Sequence, residues 1–519
     1  MGLVAEKLSW GSLTNRDFLK RSAAIHPKKV AFVDAVRDKR VTYKEYNDGA
    51  NRLAHGLMDL RLEKGEFCML LLYNRMEHAE TFWALSKIGV VIADLPYRTH
   101  PGGMKELTNL CEAKTFIFED SFADIVSSIR PDMPSVQRYI CVGEKVPDYA
   151  IPYESVMSSD ISEPKVEVVE EDPHFLNFSS GTTGLPKGFV QNNFHNTYPI
   201  MSVVAPGFGI EHDTIFLNPF PLYGRIAWAG LIAAAYQGAT HINIDFEPKR
   251  WLEVVEREKP NAAHLVTTMA EMILRQPDLT NYDLSSLKHI VFAGSVLPES
   301  TINEVRQKLC PDIWEYYGFQ EGNATCAIRG QAKRKKPTSV GPPVLGAEVR
   351  IVNPETDEDV PQGEPGEVIT RGHHLIKEYF KNPEANKVAF RGGWFHTGDL
   401  GRFDEDGYLY LMGRVKDMII SGGYNVFASE VEDVLATHPK VAECAVIGLP
   451  DKLWGELVTG VVVPKPGEKP EEGELIQFCK DRMDHYKAPK SIKFTDSTPK
   501  NPTGKVLKKD LVARFSPKE

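Results

Sequence analysis

The chain has 519 residues, 42% hydrophobic and 25% charged, a mix that fits a globular protein of more than one domain and excludes a disordered or fibrous chain. Its formal charge, 61 − 71 = −10, excludes the broad basic surface that nonspecific nucleic-acid binding needs. Seven scattered cysteines, with no CxxC pair, argue against a disulfide frame or zinc site and for a reducing compartment. No apolar run approaches the roughly 18 residues of a membrane span, and the first residues lack a signal-peptide core. No membrane span is expected, and the cytoplasm is the default location.

In chain order, Thr42-Tyr43-Lys44-Glu45 reads as a capping box, with Tyr46, Ala50, Leu53, Ala54 and Leu57 at helical spacing behind it. Phe67 to Tyr73 and Val90 to Leu95 are continuous apolar runs flanking a helical pattern from Glu77 to Ile88. This β-α-β order predicts a parallel sheet covered on both faces. Similar alternation recurs from Thr214 to Ile244 and from Asn261 to Phe292. The basic run Lys333-Arg334-Lys335-Lys336 is expected to be a solvated loop. From Val340 to Gly372, proline and glycine separate short alternating runs, the pattern of antiparallel strands. A smaller α/β unit begins after Asp417. There Ser429-Glu430-Val431-Glu432 reads as a second capping box, Val441 to Gly448 and Val458 to Val463 as strands, and Glu474 to Met483 as a helix. These elements predict two domains, 1–415 and 416–519, divided near Lys416.

The densest chemistry lies in Ser179-Ser180-Gly181-Thr182-Thr183-Gly184-Leu185-Pro186-Lys187-Gly188, which follows the apolar run Phe175 to Phe178. Glycines let the backbone turn its N–H groups toward one point, while hydroxyls and a lysine add donors and charge. That combination suits a polyphosphate. The spacing is not that of a Walker A loop, since Pro186 precedes the lysine and Gly188 follows it.

Further motifs follow: Tyr317-Gly318-Phe319-Gln320-Glu321, Thr397-Gly398-Asp399, Gly413-Arg414-Val415-Lys416-Asp417, Ser421-Gly422-Gly423-Tyr424-Asn425 and Pro502-Thr503-Gly504-Lys505. Together, in this order, they resemble the adenylate-forming superfamily, and the likeness spans nearly the whole chain. The resemblance implies an α/β fold with a large N-terminal domain of layered parallel sheets and helices. It also implies a small β-barrel-like part and a small mobile C-terminal α/β domain hinged at Lys416, where many members carry Asp. The implied activity is that of an AMP-forming acyl-CoA synthetase.

By the same resemblance, Ser179, Ser180, Gly181, Thr182, Thr183 and Gly184 would cradle the phosphates of ATP, with Lys187 adding charge. Glu321 would be the Mg²⁺ carboxylate, with the Thr182 hydroxyl as second contact. Tyr317, beside Gly318 and Gln320, would stack on adenine. Asp399 would accept the ribose hydroxyls, and Arg414 would clamp ribose and phosphate. Lys505 would bridge carboxylate and α-phosphate during adenylation. Gly422, Gly423 and Trp454 would line a pantetheine tunnel for CoA.

The acyl pocket is assigned to Tyr223, Gly224, Trp228, Gly294 and Gly318. Gly318 stands where the acetate-activating branch carries tryptophan, so a deeper pocket is expected, for a medium-chain, branched, alicyclic or aromatic acid. In Phe220-Pro221-Leu222-Tyr223-Gly224 a glycine replaces the family's histidine. Arg225 and Trp228 read either as pocket residues, with Arg225 on a polar tail, or as a rim charge and a core aromatic. Glu378-Tyr379 replaces the usual Gly-Tyr and is assigned no function. The implied partners are a carboxylic acid, ATP and CoA. Nucleic acid is not among them, and a homodimer is compatible with the sequence. The alternative reading is a stand-alone adenylation enzyme that loads a carrier protein. A non-catalytic nucleotide sensor is disfavoured by the presence of Glu321 and Lys505.

Overall fold

The structure, a computed structural model, describes residues 13–179, 187–500 and 506–516, without the side chains of Ser179 and Asn425. Two large sheets dominate. One has seven strands, in the order Ile151–Pro152, Arg138–Val142, Thr115–Glu119, Phe67–Leu71, Val91–Asp94, Pro173–Ser179 and Lys187–Asn192. Its strands run parallel except for the last pair. The other has eight strands and is parallel through its centre, with an antiparallel hairpin at either edge.

Side-chain alternation shows how the layers stack. Cys68 and Leu70 join the core shared with helices Tyr43–Asp59, Met76–Ile88 and Arg225–Gln237, whereas Met69 and Leu71 join a core on the opposite face. In the second sheet, Phe32 faces that same shared core and Val33 faces away. Helices therefore lie between the sheets and also cover their outer faces. That is why the central strands are apolar throughout. The first capping box forms as expected, with Thr42 accepting from the Glu45 N–H and Glu45 reaching back to the Thr42 N–H.

Strands Ala347–Val352, Gly366–Gly372, Phe395–Phe403 and Leu409–Arg414 make a four-stranded antiparallel sheet. The 3-10 turn Val415–Asp417 leads from it into a five-stranded sheet that includes Met418–Ser421, Val441–Asp451 and Gly455–Pro464. Among the described residues no helix is long and apolar enough to cross a membrane.

Two local expectations are corrected. The helix expected to open at Ser429 begins at Ala428, with Phe427 as its N-cap. Ser429 instead donates its hydroxyl to the Met412 carbonyl, while Glu432 accepts from the Val446 N–H and pairs with Lys508. Tertiary partners outcompete the local cap. The basic run is not a uniformly solvated loop either. Lys333 is fully buried and ion-paired with Glu315, also donating to the Pro337 and Ser339 carbonyls, and Lys336 bridges Asp404 and Asp406. A buried lysine is retained only where every proton finds an acceptor, as here.

Candidate active site

Pairing brings three distant motifs together. Strands Phe395–Phe403 and Leu409–Arg414 are antiparallel neighbours in which Asp399 stands directly opposite Arg414. Their side chains form an ion pair, Arg414 Nε to Asp399 Oδ1 at 3.0 Å. The Tyr317 hydroxyl, from the eight-stranded sheet, donates to Asp399 Oδ2 at 2.8 Å. Burial, reinforced by the Asp399 charge, pushes the Tyr317 phenol well above its usual range, so it remains a donor. Gly398 has a φ of +70°, a left-handed turn that glycine adopts without strain. Glu367 holds that turn, accepting from the Gly398 N–H at 3.0 Å and from His396 Nδ1 at 2.9 Å, and pairing with Arg391. Glu367 was not signalled by any motif; it is found by what it supports.

Glu321 sits at the tip of the hairpin Ile313–Phe319 and Asn323–Ile328. It is 9% exposed, and its Oε1 accepts from the Tyr379 hydroxyl at 2.8 Å. Lys187 Nζ lies 5.1 Å from the centre of the Tyr379 ring. Lys187 opens strand Lys187–Asn192 and is the register partner of Ser179, so the two ends of the glycine-rich segment adjoin. Tyr379, to which the sequence assigned no role, thus touches both the proposed metal carboxylate and the loop lysine. Burial and the Glu321 charge push its phenol up, which keeps it protonated. Tyr379→Phe is expected to lower adenylation about 10- to 100-fold, since a hydrogen bond to a charged group is worth roughly 1.5–3 kcal/mol. A Mg²⁺ titration of exchange activity would check this, with the half-saturating Mg²⁺ concentration rising in the variant.

Ser180, Gly181, Thr182, Thr183, Gly184 and Lys505 lie outside the described residues. Gln320 is exposed beside Glu321. Lys416 is exposed in the turn between the sheets. Gly422 and Trp454 meet directly: the Gly422 N–H donates to the Trp454 carbonyl at 2.8 Å, and a Cβ on Gly422 would lie 2.8 Å from the indole. Gly423 has a φ of +82°, with open space where a Cβ would point. Lys490 Nζ lies 4.6 Å from the Trp454 ring centre.

The acyl-pocket expectations fare differently. Tyr223 packs edge-on against Tyr97, with ring centroids 5.1 Å apart. Gly224 is the N-cap of helix Arg225–Gln237, and Gly294 adopts a φ of +83° just after strand His289–Phe292. Trp228 stacks on Phe82 at 4.1 Å in the core, the second of its two readings.

Gly318 does not provide an open pocket floor. A Cβ there would stand 1.9 Å from the Asn323 carbonyl oxygen, because the hairpin carries a register shift at Tyr317/Gly318 and its strands close tightly. The glycine is required by backbone approach. Gly318→Trp is therefore expected to disrupt the hairpin and lower the melting temperature instead of shortening the preferred acid.

Arg225 is corrected as well: it is no rim charge. Nε donates to Asn323 Oδ1 at 2.7 Å, one NH group reaches Gln191 Oε1 and Asn196 Oδ1, and the other reaches the His195 carbonyl.

The family profile described as AMP-binding enzyme matches residues 19–380, and that of the AMP-binding enzyme C-terminal domain matches 430–505. A long-chain-fatty-acid–CoA ligase of Mycobacterium tuberculosis is 31% identical over 96% of this chain and 98% of its own. A feruloyl-CoA synthase of an Amycolatopsis species is 32% identical over 92% of this chain and 94% of its own. An anthranilate CoA ligase solved with anthranoyl-AMP superposes with a TM-score of 0.90 at 27% identity, covering 97% of each chain. The chain belongs to the AMP-binding enzyme family of adenylate-forming proteins and groups with its acyl-CoA ligases.

Proposed function

We propose that this protein activates a carboxylic acid larger than acetate as its acyl-adenylate and transfers the acyl group to CoA. The observation that carries the reading is the convergence of Tyr317, Asp399 and Arg414 from three separate motifs. Relatives named for long-chain fatty acids, ferulate and anthranilate support an acid of that size. They also favour CoA over a carrier protein as acceptor.

In the first half-reaction a carboxylate oxygen bonds to the α-phosphorus of ATP and pyrophosphate leaves. In the second, the CoA thiolate attacks the acyl carbonyl and AMP leaves. Both steps crowd negative charge, so positioning and cationic groups dominate catalysis. Asp399, held by Tyr317 and Arg414, would accept the ribose hydroxyls. Tyr317 would support adenine. Lys187 and Lys505 would offset phosphate charge. Glu321, a carboxylate with one oxygen fixed by Tyr379, fits a Mg²⁺ ion completed by phosphate oxygens and water. Bound there, the ion would neutralise phosphate charge and orient the leaving pyrophosphate.

Rotation about Lys416 would exchange Lys505 for the Gly422–Trp454 surface between the two half-reactions. Leucine at Gly423 would fill the open space beside its Cα. Gly423→Leu should slow thiolysis at least about tenfold and spare pyrophosphate exchange, because a small-residue tunnel tolerates no branched side chain. Separate assays of the two half-reactions check it. The overall reading is tested by following AMP, ADP and pyrophosphate across a panel of carboxylic acids, with and without CoA. Acid-dependent AMP and pyrophosphate release, with thioester only when CoA is present, is expected. ADP and orthophosphate as products would overturn it.

A further inference from the structure

We propose that Arg225 forms a receptor for a second anionic group on the acid, so that the preferred substrates are dicarboxylic or comparably dianionic acids. This rests on the ligase reading above. Arg225 is the first residue of the 13-residue helix Arg225–Gln237, and its N-cap Gly224 supplies no side-chain cap. A cation at a helix N-terminus faces the positive end of the helix dipole, so the two add instead of cancelling.

Every partner of the guanidinium is a neutral oxygen: Asn323 Oδ1 at 2.7 Å, Asn196 Oδ1 at 2.8 Å, Gln191 Oε1, and the His195 carbonyl at 3.4 Å. Among the described residues no carboxylate pairs with it. Burial lowers its pKa to about 9, which still leaves it charged at neutral pH. Burial, and then the Arg225 charge, hold His195 at about 4 and His174 at about 3, so neither imidazole carries charge there. The Arg225 charge is thus uncompensated by its hydrogen-bond partners, an arrangement that costs free energy unless an anion completes it.

A second observation points the same way. Gln191 is fully buried, and its Oε1 is held by Asn177 Nδ2 at 2.9 Å and by Arg225. That orientation leaves Gln191 Nε2 as a buried donor with no acceptor among the described residues. Guanidinium and amide together are donors in want of an oxyanion. Tyr223, Gly224, Arg225 and Tyr316 are each partly exposed to solvent, so the guanidinium is not sealed from a ligand.

The placement suits a substrate's far end. Gln191 is four residues beyond Lys187 on one strand, hence on the same face and about 13 Å along it, and Asn323 is two residues beyond Glu321 on the hairpin. An acid whose reacting carboxylate lies near Glu321 would present its second charge to Arg225 across a short or medium spacer.

The test measures pyrophosphate exchange by the full-length protein with matched pairs, a dicarboxylic acid and the monocarboxylic acid of the same skeleton, straight-chain and aromatic, over several lengths. The readout is the ratio of kcat/KM within each pair. For the wild-type protein the ratio should favour the dianion by at least about 100-fold at one length, since a buried charge left unpaired rejects the analogue lacking its partner. Arg225→Gln should bring the ratio to about one. Asn323→Asp places a carboxylate where an amide oxygen now lies 2.7 Å from Nε, at a φ of +50° that aspartate tolerates. It should cut the ratio at least about tenfold by neutralising the receptor internally, whatever the fate of the arginine variant. A wild-type ratio at or below one for every pair overturns the inference while leaving the ligase reading intact. So does an unchanged ratio in both variants. Failure of all acids to support exchange overturns both.

Discussion

Glu321→Gln is expected to reduce carboxylate-dependent ATP–pyrophosphate exchange by about 10²- to 10³-fold, the scale of losing one preorganised electrostatic contact in a closed site. Glutamine keeps the shape and the hairpin, so the loss is one of charge. In the native site the Tyr379 hydroxyl fixes Oε1 at 2.8 Å and Lys187 lies over the same tyrosine ring. The amide would bind Mg²⁺ far more weakly than a carboxylate, because hard cations prefer anionic oxygen. The diagnostic is therefore a raised Mg²⁺ requirement, read by titrating exchange activity against Mg²⁺ at saturating ATP. An unchanged Mg²⁺ dependence would remove Glu321 from the metal site.

The second large effect is expected at Lys505, in the motif Pro502-Thr503-Gly504-Lys505, outside the described residues. Lys505→Ala should cost adenylation about 10²- to 10³-fold, because a cation placed between two anions is stabilising chiefly where their charges converge. Thioester formation from supplied acyl-adenylate should persist within a few-fold of the wild-type rate. The separation is the point of the experiment. In the proposed swing about Lys416, the small domain would present Lys505 in one half-reaction and the Gly422–Trp454 surface in the other. Equal loss in both halves would refute the swing.

Much of this protein was legible before its fold. The Thr42–Glu45 cap and the β-α-β order from Phe67 to Val91 are written in local residue order, because caps and periodicity act over one or two turns. Glu321, Asp399 and Arg414 were singled out by the family's motifs, and their roles are proposals. What failed did so where distant groups competed. Ser429 abandoned its expected cap for the Met412 carbonyl, and Lys333 turned inward to Glu315. Gly318 was read as empty space and proved to be filled by the opposing strand at Asn323.

Residue types and their order, through the family they resemble, determined the candidates: a glycine-rich segment proposed for phosphate, a carboxylate proposed for Mg²⁺ and an aspartate proposed for ribose, on an α/β chain. Only tertiary structure decided that Tyr379 joins Glu321 to Lys187, that Glu367 holds the Asp399 turn, and that Arg225 lies among neutral oxygens with no anion beside it among the described residues. The physical reason is that spacing along the chain encodes local geometry, whereas charge compensation and close approach depend on which surfaces meet across the fold.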